Sequence, residues 1–464
     1  MVFSSIEFVF MSFPAFLAIY YIIPAKFRST WALLGSAAFF VYGMRSEPIH
    51  ILFLVISLAV NYFLGVLISQ EGGKRRKLLL AAGIIYNFAR LILYKYTDTL
   101  IDTANWAFST NIEHLGLTMP IGISFYVFCA VAYLVDVYRR TVDAERNVLK
   151  FSGYMLYFPK FISGPITRYA DVKDELASPR LSFARFDDGL REFIVGLGLK
   201  VLIANQLGGV WNATGTIGYE SISTPLAWFG ILSYSLQLYF DFYGYSLMAI
   251  GIGRMMGVEL PKNFDHPYWS CSMTEFWRRW HMTLGSWFRD YVYIPLGGNR
   301  KGKLFTILNL LIVWIFTGIW HGAGGNFIIW GIFLFAVVAI EKLGFKKLLD
   351  RCKPLGHIYM LLLIPLSWLP FALEKLSNVG VYFTRLFPFF GEGVNVYAGD
   401  FAKYFTKFGI PFAAGLILCL PFVRKAFDRY KDSVVVTVIL VAVFWASMYF
   451  VYQGLNDPFM YFNF

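Results

Sequence analysis

NLLIVWIFTGIWHGAGGNFIIWG, Asn309–Gly331, sets His321 and the glycines Gly318, Gly322, Gly324 and Gly325 between two apolar runs without a single charged residue. A helix of that composition has no polar face to offer water. One bilayer crossing takes about 20 mostly apolar residues, so the runs on either side of His321 read as membrane spans. The whole chain agrees. Its 464 residues are 58% hydrophobic and only 15% charged, whereas a soluble domain carries about 25% charged residues. Aromatics make up 19%, a load that suits lipid contact and the interfacial belts where Tyr and Trp settle.

Working outward from His321, the candidate spans are Phe8–Ile23, Trp31–Tyr42, Ile51–Ser69, Leu78–Tyr94, Met119–Tyr138 and Phe193–Leu207, then Leu226–Ile252, Phe305–Trp320, Phe327–Ile340, Ile358–Phe371, Phe408–Phe422 and Val434–Val451. Several are short, so about ten or eleven true crossings are expected. The fold class is all-α, one polytopic domain over 1–464. Residues 1–118 hold the first spans, 119–341 a core with the chemistry-bearing segments, and 342–464 the last spans. Phe151–Pro165, broken by Gly and Pro, reads as re-entrant, because irregular backbone at membrane depth needs cover from protein or a watery cavity. The first apolar run follows no basic segment and reads as a retained span rather than a cleaved signal.

The net charge is +12, but the basic residues cluster in short loops beside apolar runs. Lys74–Lys77, Arg139–Lys150 and Arg424–Lys431 hold three such clusters, and the positive-inside rule places them in the cytoplasm. Nucleic acid is therefore not the expected partner; the bilayer is. The stretch with Asp98, Asp102 and Glu113 then faces outside. Arg168–Glu192 is expected as short helices on the inner surface, and Gly380–Lys407 as its outer counterpart. Cys129, Cys271, Cys352 and Cys419 have no metal-ligand spacing and read as small packing residues.

An ionisable residue inside an apolar run is a functional candidate. His321 meets that test, and an imidazole can take and return a proton near neutral pH. A packed imidazole bonded to a carbonyl fits the pattern equally well. The glycines around it would leave an uncrowded path to a ligand. A second group is TEFWRRWHMTLGSWFRDYVYIPLGGNRKGK, Thr274–Lys303. Trp277, Arg278, Arg279, Trp280 and His281 stand together, with Trp287, Arg289 and Asp290 beyond. Arg forks match phosphates and Trp faces support cations and flat rings. Spacing alone favours interfacial residence for most of these, with His281 kept as a candidate. Asp241 stands in an apolar run with no basic neighbour, and Gln237 lies one turn earlier on the same face; both could line a polar tunnel. Asn326, just past the glycines, joins them. Asp136 reads as a local ion pair with Arg139 and Arg140. No metal, nucleotide or hydrolase-elbow motif is present.

Five segments carry a family resemblance. They are PIGISFYVFCAVAYLVDVYRR (Pro120–Arg140), YFPKFISGPITRY (Tyr157–Tyr169), YSLQLYFDFYGYSLMAIGIGRMMG (Tyr234–Gly257), Asn263–Lys303 with its WRRWH and RDYVYIPLGGNR strings, and the His321 segment. Val2–Ala25 and the closing PFMYFNF, Pro458–Phe464, add to them. The chain resembles the membrane-bound O-acyltransferase (MBOAT) family, in its bacterial polysaccharide O-acetyltransferase branch. The resemblance implies a ring of tilted helices around a thin centre, with funnels from both faces. It implies that His321 matches the family's essential histidine and His281 the second, upstream position. It departs from the family at Tyr243–Leu247, where Ser-Gly-Tyr-Ser-Asp is common, at Cys129, where Gln is common, and at His321–Gly325, where His-Gly-Ala-Asn-Trp is usual.

The activity this implies is acetyl transfer from a cytoplasmic donor, acetyl-CoA or another acyl thioester, with no resident cofactor. His321 would serve as base or transient acyl carrier. His281 and nearby Arg or Trp groups would position the thioester and stabilise the oxyanion. The receiver would be an extracytoplasmic partner protein that modifies a polysaccharide, and the location the bacterial inner membrane. Rival readings are D-alanyl transfer to teichoic acid from a carrier protein, peptidoglycan O-acetylation, and a polysaccharide exporter or flippase. The intact Pro295–Gly298 string leans toward acetyl transfer. The lack of internal symmetry and of an ATP motif stands against export.

Overall fold

The computed structural model describes residues 2–161, 164–391 and 393–454; part of the Phe151–Pro165 segment and all of Pro458–Phe464 lie outside them. The described residues form helices and turns, with no strand. The chain is a multi-pass all-α membrane protein. It packs as two compact units, Met1–Phe193 with Ser246–Lys262, and Ile194–Tyr245 with Asn263–Phe464.

In the first unit the centre is the helix Ile123–Arg139, buried at nearly every position. Its sequence is apolar on nearly all sides, and such a helix is stable only when surrounded. The spans Ile49–Gln70 and Gly73–Phe108 lie against it. Gly65 and Gly83 permit this approach: a Cβ there would sit 2.7 Å from the Tyr133 ring and 2.6 Å from Leu134. Between those two spans Asn87 Nδ2 donates to Asn61 Oδ1 at 2.7 Å, and Asn61 Nδ2 returns a bond at 3.2 Å. Paired amides of this kind hold helices together where no hydrophobic effect acts between them. Arg76, from the first basic cluster, donates to the Val137 and Tyr138 carbonyls and closes the end of the central helix.

In the second unit Lys200 Nζ reaches Asp241 Oδ1 at 2.5 Å, with both side chains buried. Lys200 lies in a π-helical turn, Leu199–Ala204, of the long helix Phe183–Ile217. Asp241 lies on the helix Thr224–Met255. The backbones meet at Gly244, where a Cβ would come within 2.6 Å of the Gly196 carbonyl. The helices Lys303–His321 and Gly325–Ile340 form a tight hairpin. A Cβ on Gly318 would lie 2.5 Å from the Phe327 carbonyl, and one on Gly331 would lie 2.5 Å from that of Trp314.

Seven helices are long and apolar enough to cross a bilayer among the described residues, or eight with the bent pair Asp400–Leu418 and Pro421–Tyr430. The expected ten or eleven also admit Ala25–Gly43, Ile123–Arg139 and Thr224–Met255, which are 19, 17 and 32 residues long. Several ends differ from expectation. The Leu78–Tyr94 run belongs to a 36-residue helix that reaches Phe108, about 54 Å at 1.5 Å per residue, so Asp98 and Asp102 sit on helix rather than in a loop. Neither Gly nor Pro interrupts the chain between Tyr94 and Phe108 to stop it. The Arg168–Glu192 stretch gives one short helix, Tyr169–Ala177, and then the start of Phe183–Ile217. The Phe408–Phe422 run is not one straight helix: it breaks before Pro421 and turns by 78°, as a proline starting a new helix allows.

Candidate active site

Two histidines of the second unit line one cavity of about 260 Å³. His321 ends the helix Lys303–His321 and is 4% exposed. Three rings surround its imidazole: Trp320 at 4.5 Å, Trp330 at 5.0 Å and Phe371 at 5.2 Å between centroids, all edge-on. Gly318, Gly322 and Gly324 sit at close contacts, while a Cβ on Gly325 would meet open space. Gly318 and Gly331 set the hairpin, and a Cβ on Gly322 would strike the Phe327 ring.

His281 is held differently. It sits between the short helices Met273–Arg279 and Met282–Phe288 with φ at 44°. A side chain in that left-handed region costs roughly 1–2 kcal/mol, so the surroundings must hold it there. Asn263 does so from outside both helices. The Met282 N–H donates to the Asn263 carbonyl at 2.8 Å. The Asn263 Oδ1 receives the Thr283 hydroxyl at 2.9 Å and the Thr283 N–H at 3.4 Å. A backbone N–H can only donate, which identifies that side-chain atom as the amide oxygen. His281 Nδ1 lies 2.9 Å from the same oxygen and must donate to it. Burial pushes the His281 pKa down to about 3, so the ring is neutral and Nε2 keeps its lone pair. Nε2 has no partner among the described residues. His281 Nε2 can then accept a hydrogen bond but not donate one.

Trp277, Arg278, Trp280 and Arg289 also line the cavity. Arg278 is exposed and has no carboxylate partner among the described residues, and neither has Lys342, an exposed lining residue that the motif pattern did not single out. Arg289 is bound to Asp290 at 2.6 and 3.0 Å. Five other candidates lie outside the lining. Arg279 bonds Glu275 at 2.6 Å and the Asp265 carbonyl at 3.4 Å. Asp290 serves Arg289. Asp241 is the partner of Lys200. Gln237 packs on Gly208, where a Cβ would lie 2.6 Å from its amide nitrogen. Asn326 donates to the Pro370 carbonyl at 3.0 Å and ties two helices together.

The motif pattern also missed Glu341. Its carboxylate is 1% exposed and accepts from the Met273 N–H, the Thr274 N–H and the Thr274 hydroxyl at 2.6–2.8 Å, and from the Tyr359 hydroxyl at 3.2 Å. It therefore grips the first turn of the helix that carries Trp277 and Arg278. Its one signal was position, a carboxylate directly after the apolar run that ends at Ile340. Of the four cysteines, Cys129 and Cys419 are buried as expected. Cys352 is exposed, and Cys271 lies 3.5 Å from His357 Nε2.

Residues 137–349 match the MBOAT, membrane-bound O-acyltransferase, family. All the residues lining this cavity fall in that range. A protein of Pseudomonas syringae pv. tomato named probable alginate O-acetylase AlgI is 39% identical over 84% of this chain and 76% of its own. A peptidoglycan O-acetyltransferase of Helicobacter pylori is 33% identical over 72% of this chain and 68% of its own. A teichoic acid D-alanyltransferase of Streptococcus thermophilus is 31% identical over 46% and 54%.

Proposed function

The chain belongs to the membrane-bound O-acyltransferase family, and on that premise we propose that it takes an acetyl group from cytoplasmic acetyl-CoA and passes it across the bacterial inner membrane for O-acetylation of an extracytoplasmic polysaccharide. Family membership makes it an acyltransferase and removes the exporter reading. One observation carries the finer proposal: His281 and His321, on separate elements, open onto a single cavity that also holds two cations without a carboxylate partner among the described residues, Arg278 and Lys342.

The cations suit the phosphates of a coenzyme A or phosphopantetheine donor, since charge-assisted bonds to phosphate are the strong ones. The thioester then lies deeper, among Trp277, Trp280 and the two imidazoles. His321 acts as base toward the accepting hydroxyl, or carries the acyl group in transit. His281, with Nδ1 committed to Asn263, offers Nε2 as an acceptor and aligns a donor N–H of the thioester arm. An indole or guanidinium of the lining stabilises the oxyanion. The three basic clusters face the cytoplasm, and the acetyl group leaves outward to a secreted or membrane-tethered partner protein.

The test is His321→Ala in cells that make the polymer, with protein amounts matched by immunoblot. Polymer acetylation is expected to vanish; if it persists, the proposal is wrong. The similarity to a teichoic acid D-alanyltransferase supports a second donor, a D-alanyl carrier protein. Supplying membranes with labelled acetyl-CoA or with labelled D-alanyl carrier protein separates the two, because only the true donor labels the acceptor.

A further inference from the structure

The second unit holds another cavity, of about 510 Å³, that shares no lining residue with the histidine cavity. Ligand pockets run from about 300 to 1,000 Å³, so there is room for a bound molecule. Its walls are apolar. Leu199, Leu202 and Ile203 come from the helix Phe183–Ile217, Phe240 from Thr224–Met255, and Ile439 and Leu440 from Val434–Tyr452. The first and last of these helices touch at Gly198, where a Cβ would lie 2.6 Å from Val443. The walls are thus held in place by their own packing.

The remaining side is the helix Pro421–Tyr430, which turns by 78° from the helix before it. A helix bent that far from one that crosses the bilayer lies close to the membrane plane. Val423, Phe427 and Tyr430, at i, i+4 and i+7, line the cavity. Lys425, Asp428 and Arg429 are exposed on the opposite side. One apolar and one charged face suit a helix that rests in the interface.

Positive charge stands at the cavity mouth. The Arg424 guanidinium carbon lies over the Phe427 ring, 5.3 Å from its centre, and that of Arg429 lies over the Tyr430 ring at 5.4 Å. Both rings belong to the lining. Arg424 bonds the exposed Asp428 at 2.9 Å, and a solvated pair of this kind is weak. Lys425 and Arg429 have no carboxylate partner among the described residues. Apolar walls with a cationic mouth at the membrane plane fit an amphiphile with an anionic head.

We propose that this cavity binds one anionic phospholipid, with an acyl chain between the helices Phe183–Ile217 and Val434–Tyr452 and the phosphate at Arg424 and Arg429. Guanidinium forks match phosphate oxygens. A zwitterionic lipid gains less, because its own ammonium is repelled by the same rim. Nothing in this site depends on acyl transfer.

The test places the purified full chain in phosphatidylcholine nanodiscs with a trace of phosphatidylglycerol that carries a diazirine in its acyl tail. Crosslinked peptides are mapped by mass spectrometry, with unlabelled phosphatidylglycerol or phosphatidylcholine as competitor. Label is expected in segments 199–203 and 436–443, displaced about tenfold better by phosphatidylglycerol than by phosphatidylcholine. Arg424→Gln combined with Arg429→Gln is expected to erase that preference, with size-exclusion elution unchanged. Ala426→Trp, in the lining of the same helix, should fill the space and remove the label. Label spread evenly over the lipid-facing helices overturns the proposal, and so does label in the cavity without a headgroup preference. A dimer in native mass spectrometry with the cavity unlabelled overturns it too, and assigns the cavity to a second copy of the chain.

Discussion

His281 and His321 are equally buried, at 3% and 4% exposure, yet different forces hold them. His281 sits on an irregular link and is fixed by a hydrogen bond from Nδ1 to Asn263, with one ring contact, Phe242 at 4.7 Å. His321 ends a membrane helix and is fixed by a cage of Trp320, Trp330 and Phe371. The hydrogen bond dictates which nitrogen carries the proton. The cage constrains the plane of the ring by packing and shape. One imidazole is oriented by a hydrogen bond of known direction, and the other stands inside a ring cage.

That contrast can be broken in four places. His321→Ala is expected to lower the initial rate of acetyl transfer by about 10²–10⁴-fold at matched protein amounts. A loss below tenfold would put the chemistry elsewhere. Trp330→Ala empties the middle of the cage and should cost about 3–5 kcal/mol, read as a fall in detergent-phase thermal stability. A protein that melts as the wild type does would show that the cage is not what holds the His321 end. Asn263→Leu leaves His281 Nδ1–H and both Thr283 donors without their acceptor, at roughly 1–3 kcal/mol. Transfer should fall about 10–100-fold with the protein still folded, measured by rate and by size-exclusion elution. Phe242→Leu removes the edge contact on His281 together with the one on Phe264 at 5.0 Å, each about 0.5–1.5 kcal/mol. Its effect on rate should be smaller than that of Asn263→Leu, and the reverse order would mean that packing, not the hydrogen bond, orients His281.

The two histidines also differ in how far sequence reveals them. His321 is visible because it interrupts an apolar run, and position alone marks it. His281 is one polar residue among many in its segment, and its anchor Asn263 lies 18 residues upstream. Lys200 was hidden in the same way: it stands in an apolar stretch 41 residues from Asp241, and only tertiary packing makes it the partner that the burial of Asp241 demanded. Asn326 looked like a lining residue because it stands beside His321, but it bonds the Pro370 carbonyl, and Gly318 packs on the carbonyl of Phe327. Apolar runs locate the helices well, since lipid imposes the same requirement on every span. They locate helix ends poorly, because a polar turn such as Lys95–Thr99 continues a helix when nothing breaks it.

The ion pair between Lys200 and Asp241 has a consequence for how the protein is made. A lone charge at the centre of an inserting helix opposes entry into lipid by about 2.5–3.5 kcal/mol. Neither helix sheds that penalty until the other arrives. The helix with Lys200 therefore sheds its penalty only once 41 more residues have emerged and Asp241 can join it. The two segments are expected to enter the bilayer as a couple, and a ribosome stalled between them would leave the first one stranded at the membrane surface.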